Sequence, residues 1–354
     1  MTILLNLFQY LETLHFSFSE KFENALLLVA EKVDGNQYLT AIKNAFTAYM
    51  PFIIVGSFAT LFNTLICSTS IGLAALIPAA ASLKPAFTAI NFATMSFMTI
   101  PIVFLIAMNL AKNDNLPPQL AGVAAACAYI TVIPQTVAVL VDGIANSAAG
   151  LASTTLGAQG LFIGMIVAVI AEKIFARLMK FEAIKIKMPP SVPAAISQSF
   201  NTLIPILITL TVTAVGGILF YLATGSYLNE WVYSVIQSPL EVIFQSPAGI
   251  IGIVIISQIF WFLGIHGGLI ISPIRNPLMS AAIAANTAAV AAGSVANQPV
   301  TMGFWTFFIV AGGAGMILSL IIAIFLFSKR EDHRMIGTYI DTNSSTSYDE
   351  GSPY

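Results

Sequence analysis

Between Lys43 and Lys84 the chain carries no charged side chain, and within that interval AYMPFIIVGSFATLFNTLIC, 48–67, has the length an α-helix needs to cross about 30 Å of hydrocarbon. In that medium backbone N–H and C=O groups find no water, so an uncharged run of about 20 residues must satisfy its own peptide groups as a helix. Further runs follow at 86–111, 118–140, 157–177 and 197–224, each bounded by charge or by Pro, Gly and Ser. Beyond 225 the pattern loosens into an amphipathic stretch carrying Glu230 and Glu241, a run at 248–271, an Ala-rich run at 278–292 that is too short to span easily, and a last run at 303–328. The pattern predicts an all-α membrane protein of about eight transmembrane or re-entrant helical segments. Segment 20–47 places Phe22, Leu26, Val29 and Val33 at helical spacing, which suits a helix on the membrane surface and equally a plain capping helix. The domain expectation is therefore 1–47 as N-terminal cytoplasmic or interfacial helices, 48–224 as a transmembrane bundle, 225–328 as a second half, and 329–354 as a polar tail.

Composition makes the membrane assignment firm: 57% of residues are hydrophobic and 8% charged, against about 25% charged in soluble domains. A net charge of -2 supplies no basic face, which excludes a nucleic-acid partner. Cys67 and Cys127 are isolated in apolar surroundings without ligand spacing, so neither metal nor redox work is expected, and no cofactor is implied. The start, MTILLNLFQYLETLHF, lacks the basic region of a cleavable signal, and insertion is expected to rely on the first span.

Lys and Arg placement alternates. Lys21, Lys32 and Lys43 precede the first run, Lys112 follows the second, Lys173, Arg177, Lys180, Lys185 and Lys187 follow the fourth, and Lys329, Arg330 and Arg334 follow the last. The intervening loops hold only Lys84, so the basic side, with the N-terminus, is expected in the cytoplasm.

Between Glu241 and Glu331 there is no acidic residue, and up to Lys329 His266 and Arg275 are the only titratable or cationic side chains. They lie in FWFLGIHGGLIISPIRNPL, where Gly264, Gly267 and Gly268 permit close backbone approach and Pro273 and Pro277 are expected to interrupt the helix. Broken helix at membrane depth belongs where it lines a cavity, and an ionisable group there is a functional candidate. Imidazole both donates to and accepts from a sugar hydroxyl and moves protons near neutral pH. Arg275 is either functional or an anchor at the cytoplasmic boundary. Trp261 is a sugar-stacking platform if a break at Gly264 turns it towards the same cavity, and otherwise packs in lipid or core. Asn63, Asn91 and Asn276 are open between ligand contact and helix glue, while Gly157, Gln159 and Gly160 read as a structural outer turn.

FWFLGIHGG followed by PIRNP, together with IKMPPSVPAAISQSFNTLIP, LGAQGLF and MPFIIVGSFATLFN, resembles the sugar-transporting subunit, enzyme IIC, of the bacterial phosphotransferase system (PTS), in its lactose, cellobiose and diacetylchitobiose branch. The likeness runs in order over nearly all of 20–337. It implies a multi-pass homodimer in the bacterial inner membrane, with 48–224 as the dimer bundle and 225–328 as the substrate half carrying re-entrant hairpins. It further implies a β-linked disaccharide substrate, phosphorylated by a phosphocysteine on a separate IIB protein at the cytoplasmic face. His266 then matches the sugar-contacting histidine and Trp261 the ring-stacking tryptophan, with Gly267, Arg275 and Asn276 as further candidate substrate contacts; no catalytic residue is assigned. One departure stands out: the family's Asn-Glu-Pro motif and later helices have no match. Neither Asn297-Gln298-Pro299 nor the surroundings of Glu350 replaces them, so a truncated or frame-shifted copy is expected.

Two other readings remain. An ion-coupled secondary transporter would want a carboxylate inside a span, whereas Asp114, Asp142, Glu172 and Glu230 read as loop or span-end residues. A non-transporting scaffold is the other. An intramembrane hydrolase is the least expected reading, because histidines at 15, 266 and 333 assemble no triad or metal set.

Overall fold

Asn36 opens the first helix, its Oδ1 accepting from the Tyr38 N–H at 2.9 Å and the Leu39 N–H at 3.2 Å, so that two of the N–H groups a helix start leaves free are satisfied. The computed structural model describes residues 35–70, 72–141, 144–186, 189, 191–262 and 267–310, with 322, 325 and 326. Helix α1 (Gln37–Cys67) begins before the expected span at 48, because Ala41, Ala45 and Phe46 are buried in the same core as Ile53. Residues 37–47 are thus the first turns of a long apolar helix; 20–34 lie outside the described residues.

The second run is present but bent. Helix α2 (Lys84–Asn91) passes through a π-helical turn (Phe92–Ser96) into α3 (Thr99–Asn113), with a 41° change of direction. The turn is held from α1: the Tyr49 hydroxyl donates to the Thr94 carbonyl at 3.0 Å, and Asn91 Nδ2 donates to the Gly56 carbonyl at 3.2 Å and to Thr60 Oγ1 at 2.9 Å. Glycine is needed at 56, since a Cβ there would overlap Thr94 and Met95.

Helix α4 (Pro118–Val132) stops short of the expected 140. Pro134 disfavours helical geometry in the residue before it, and Ile133 is extended at φ −105°, ψ 158°. The remainder of that run forms strand β1 (Thr136–Val141), antiparallel to β2 (Ile144–Ala149) in register from Thr136 opposite Ala149 to Val141 opposite Ile144. A short α5 (Ser153–Leu156) and a 3-10 turn (Ala158–Gly160) then lead into α6 (Leu161–Leu178). Hydroxyls secure this irregular stretch too: Thr99 donates to the Gly157 carbonyl at 2.6 Å and Tyr129 to that of Thr155 at 2.5 Å.

Helices α1, α3, α4 and α6 surround a core that includes Phe46, Ile53, Met98, Ile102, Tyr129 and Ile163. Helix α7 (Ala194–Thr224) packs on α4 and ends at Gly225, whose left-handed φ of 73° suits glycine. Its other side exposes Leu207, Ile218, Leu219 and Leu222, a face suited to lipid rather than water.

At the opposite end of α3 and α6 from the β-hairpin, Lys173 Nζ lies 2.7 Å from Asp114 Oδ2 and 3.3 Å from Glu172 Oε2, and 5.4 Å from the Tyr38 ring centroid. Glu172, expected at a span end, is fully buried at 0% exposure within α6 because its neighbour Lys173 supplies the countercharge.

The second half starts with α8 (Leu228–Val232), a π-helical turn (Tyr233–Gln237) and α9 (Ser238–Gln245), then turns by 87° into α10 (Pro247–Phe262). Helix α11 (Gly267–Ala291) unites what pattern reading separated into parts of two runs. It continues through Pro273 and Pro277, contrary to the expected interruption. Each proline removes one N–H donor, whereas ending the helix would expose a whole turn of carbonyls. Beyond an extended segment, α12 (Met302–Phe304) leads into a π-helical turn (Trp305–Ile309). By length and composition, among the described residues two helices can cross a membrane, or up to four if each bent pair is one span.

Tyr129→Phe is expected to cost about 1–3 kcal/mol by leaving the buried Thr155 carbonyl without its donor, read as a lower thermal midpoint in detergent. The hydrogen bond from Lys173 holds the Asp114 carboxyl below its ordinary range. A depressed carboxylate stabilises above its unfolded pKa and loses that contribution as pH falls through the folded value. Wild type should therefore be more stable than Asp114→Asn at pH 7, with the gap closing below about pH 4; a pH-independent gap would refute the ion pair.

Candidate functional site

Helices α10 and α11 form a hairpin whose arms touch at its closed end. A Cβ on Gly267 would lie 2.9 Å from Ser257 Oγ and overlap the Ser257 carbonyl, so only glycine lets the first turn of α11 sit against α10. Trp261, half-buried, occupies the last turn of α10 and Gly267 the first position of α11. These two expected site residues therefore stand at the adjoining ends of α10 and α11. His266, with Gly264, lies outside the described residues.

Two turns further along α11, Arg275 lays its guanidinium over the Trp305 ring at 4.6 Å from the centroid. Its Nη2 and Nε approach Asn276 Oδ1 at 3.2 and 3.4 Å. Stacking occupies the face of the guanidinium and leaves N–H donors on its edge. Asn276 is buried, and its backbone carbonyl accepts from the Ser280 hydroxyl at 2.8 Å. Trp305 belongs to a second apolar core with Phe244, Ile271, Leu278, Met279 and Val300. Arg275 is thus packed against that core.

The residues after α11 run extended and borrow side chains as bonding partners. Asn286 Nδ2 donates to the Gln298 carbonyl at 2.7 Å while its Oδ1 accepts from the Gln298 N–H at 2.9 Å. Gln245 repeats the arrangement at Val300, at 3.1 and 2.8 Å. Asn297-Gln298-Pro299 is therefore held by two carboxamides from α9 and α11. Trp305, Gln245 and Asn286 were missed from sequence. Trp305 could have been flagged as one of three tryptophans, whereas a carboxamide that mimics a strand partner leaves no pattern in sequence.

The other sequence candidates separate. Asn91 acts as interhelical glue to α1 through its amide donors. Cavities of about 240 and 560 Å³ lie elsewhere, towards the C-terminal half of α11 and the β-hairpin. Among the described residues no three His, Cys, Asp or Glu side chains gather as a metal site.

Comparison with known proteins gives this arrangement a context. The chain is 28% identical over 319 residues to the oligo-beta-mannoside-specific EIIC component of a PTS from Bacillus subtilis (strain 168), covering 90% of this chain and 71% of that protein. It is 29% identical over 312 residues to the lactose-specific EIICB component of Lacticaseibacillus casei, covering 85% of this chain and 50% of that protein. Such EIICB chains carry the IIB partner with which EIIC components work. The fold matches the crystal structure of the transporter ChbC, the IIC component from the N,N'-diacetylchitobiose-specific PTS, with a TM-score of 0.77 at 27% identity over 90% of this chain and 74% of that one. Since the profile described as "Phosphotransferase system, EIIC" matches residues 43–340, the chain belongs to the EIIC family of PTS membrane proteins.

Proposed function

We propose that this chain is the permease that takes up a β-linked disaccharide of the cellobiose, chitobiose or lactose kind and presents it to a phosphorylated IIB protein. The observation that carries the proposal is the α10–α11 hairpin: the Gly267 contact with Ser257 sets the start of α11 against α10, and Trp261 and Gly267 stand on either side of His266 in sequence. An indole offers a flat apolar surface to a pyranose ring, and an imidazole beside it exchanges hydrogen bonds with a hydroxyl. Gly267 admits close backbone approach, while Arg275 and Asn276 form a polar pair further along the hairpin. The names of the relatives, which specify oligo-beta-mannoside, lactose and diacetylchitobiose, support the substrate class.

In this reading the bundle 48–224 carries the contact between two copies of the chain, and 225–328 carries the sugar. The lysine-rich ends of α3 and α6 face the cytoplasm, with the N-terminus on that side, in the inner membrane of a bacterium. Buried Glu172 is the observation that keeps an ion-coupled transporter in view, since it is a carboxylate inside a helix of the bundle. Uptake separates the two: sugar accumulation is expected to require IIB and to survive collapse of the proton and sodium gradients. Dependence on a gradient would favour ion coupling.

His266→Ala is expected to remove most binding of labelled cellobiose, chitobiose or lactose by purified protein, with membrane insertion unchanged; unaltered affinity would sink the assignment. Gly267→Val is expected to part the hairpin arms and lower the uptake rate by about 100-fold, the scale of a misplacement near 1 Å. Wild-type uptake by that variant would mean the close contact has no part in transport.

A further inference from the structure

The two cavities share a wall. Thr154, Gln159 and Tyr233 line both, with Gln159 at the foot of α6 and Tyr233 in the π-helical turn of the second half. Because the Gln159 and Tyr233 side chains line both cavities, this pair stands in the partition between a larger chamber beside the β-hairpin and a smaller one against α11. The smaller chamber is floored by Ala281, Ala284, Ala285 and Ala288, whose methyl groups leave its volume open.

The polar groups around these chambers are those that recognise hydroxyls. Glu241 lines the smaller chamber, its Oε1 accepting from Gln237 Nε2 at 2.7 Å. Gln237, 0% exposed, is fixed by a second bond from Nε2 to the Ala158 carbonyl at 2.9 Å, which sets the carboxylate's position. Asn229, 9% exposed, lines the larger chamber, and its buried Oδ1 has no hydrogen-bond partner among the described residues. Ser96 and Thr287 add hydroxyls, and Tyr233 an aromatic ring. Among the described residues the lining side chains include the carboxylates Glu230 and Glu241 and no lysine or arginine. A phosphate ester would face like charge without a countercharge, whereas a neutral polyol can donate to the carboxylates and amide oxygens.

We propose that these chambers form a vestibule on the β-hairpin side that binds a pyranose ring of an uncharged sugar and rejects its phosphorylated form. Helix α11 places it apart from the hairpin turn: from Gly267 to Ala285 is about 27 Å along the axis at 1.5 Å per residue. The proposal rests on the permease reading and gives that reading a direction, since free sugar is admitted where the phosphorylated product is repelled.

The test is saturation-transfer NMR of cellobiose with the full chain carrying His266→Ala, in a detergent without a sugar headgroup. Cellobiose is expected to give saturable signals, the 6-phosphate ester none, and Ala285→Phe in the same background is expected to weaken binding about tenfold or more by filling the smaller chamber. Thr154→Val, nearly equal in volume and at the shared wall, serves if the phenylalanine variant does not fold, with the same expected loss. Absence of cellobiose signals in the His266→Ala protein, equal signals from the phosphate ester, or no effect of the folded wall variant would overturn the vestibule. Failure of the permease reading is distinct: the wild-type protein would then show no tight binding of labelled sugar.

Discussion

Peptide groups freed wherever a helix breaks inside the membrane-embedded body must find partners within the chain, and this requirement organises the structure. The π-helical turn at Phe92–Ser96 is met by Tyr49, the 153–160 stretch by Thr99, Tyr129 and Gln237, and the extended segment before α12 by Asn286 and Gln245. In each case a hydroxyl or carboxamide on a neighbouring helix serves a backbone group far away in sequence. Breaks can then sit beside cavities and at the hairpin, where regular helix would fill the space that a ligand needs.

The same requirement explains which parts of the fold were legible. Uncharged runs report on burial in lipid, so α1, α7 and the bent pair α2–α3 appear near their expected places. The β-hairpin was hidden because Val137, Val139 and Leu140 are as apolar as a helix interior; Pro134 was the local signal that ended the helix. Pro273 and Pro277 misled in the opposite direction, because a single lost hydrogen bond is a weaker constraint than the continuity of a 25-residue helix. Asn91 illustrates the limit for polar residues: its sequence context suited glue and ligand contact alike, and the decision lay in Gly56 and Thr60 across the bundle.

For the site, the sequence exposed the isolated His266 and Arg275 because charge is rare there, and it named Trp261, Gly267 and Asn276 in their neighbourhood. It offered Trp305 only as one of three tryptophans, because what marks that ring is the guanidinium above it. Nor could it expose the shared wall of Gln159 and Tyr233, since those residues are 74 positions apart and line the same cavities only after the two halves pack. Side chains that act within one helical hairpin leave a local mark, whereas those that act between halves leave none.

Helix α11 joins these levels. Its first turns carry the hairpin contact at Gly267 and the Arg275–Trp305 stack, while its later turns lay Ile283 and Ala284 against the core of the first bundle. Small side chains let helices approach without deep interdigitation, and such surfaces hold partners by close packing more than by specific bonds. The hydrogen bond from Gln237 to Ala158 and the shared wall residues Gln159 and Tyr233 lie beside that alanine surface. The alanine floor of the smaller chamber and the hairpin contact at Gly267 thus belong to one helix. In physical terms the Gly267 contact and the alanine floor are joined by one continuous helix, whose backbone bond ladder connects the two ends.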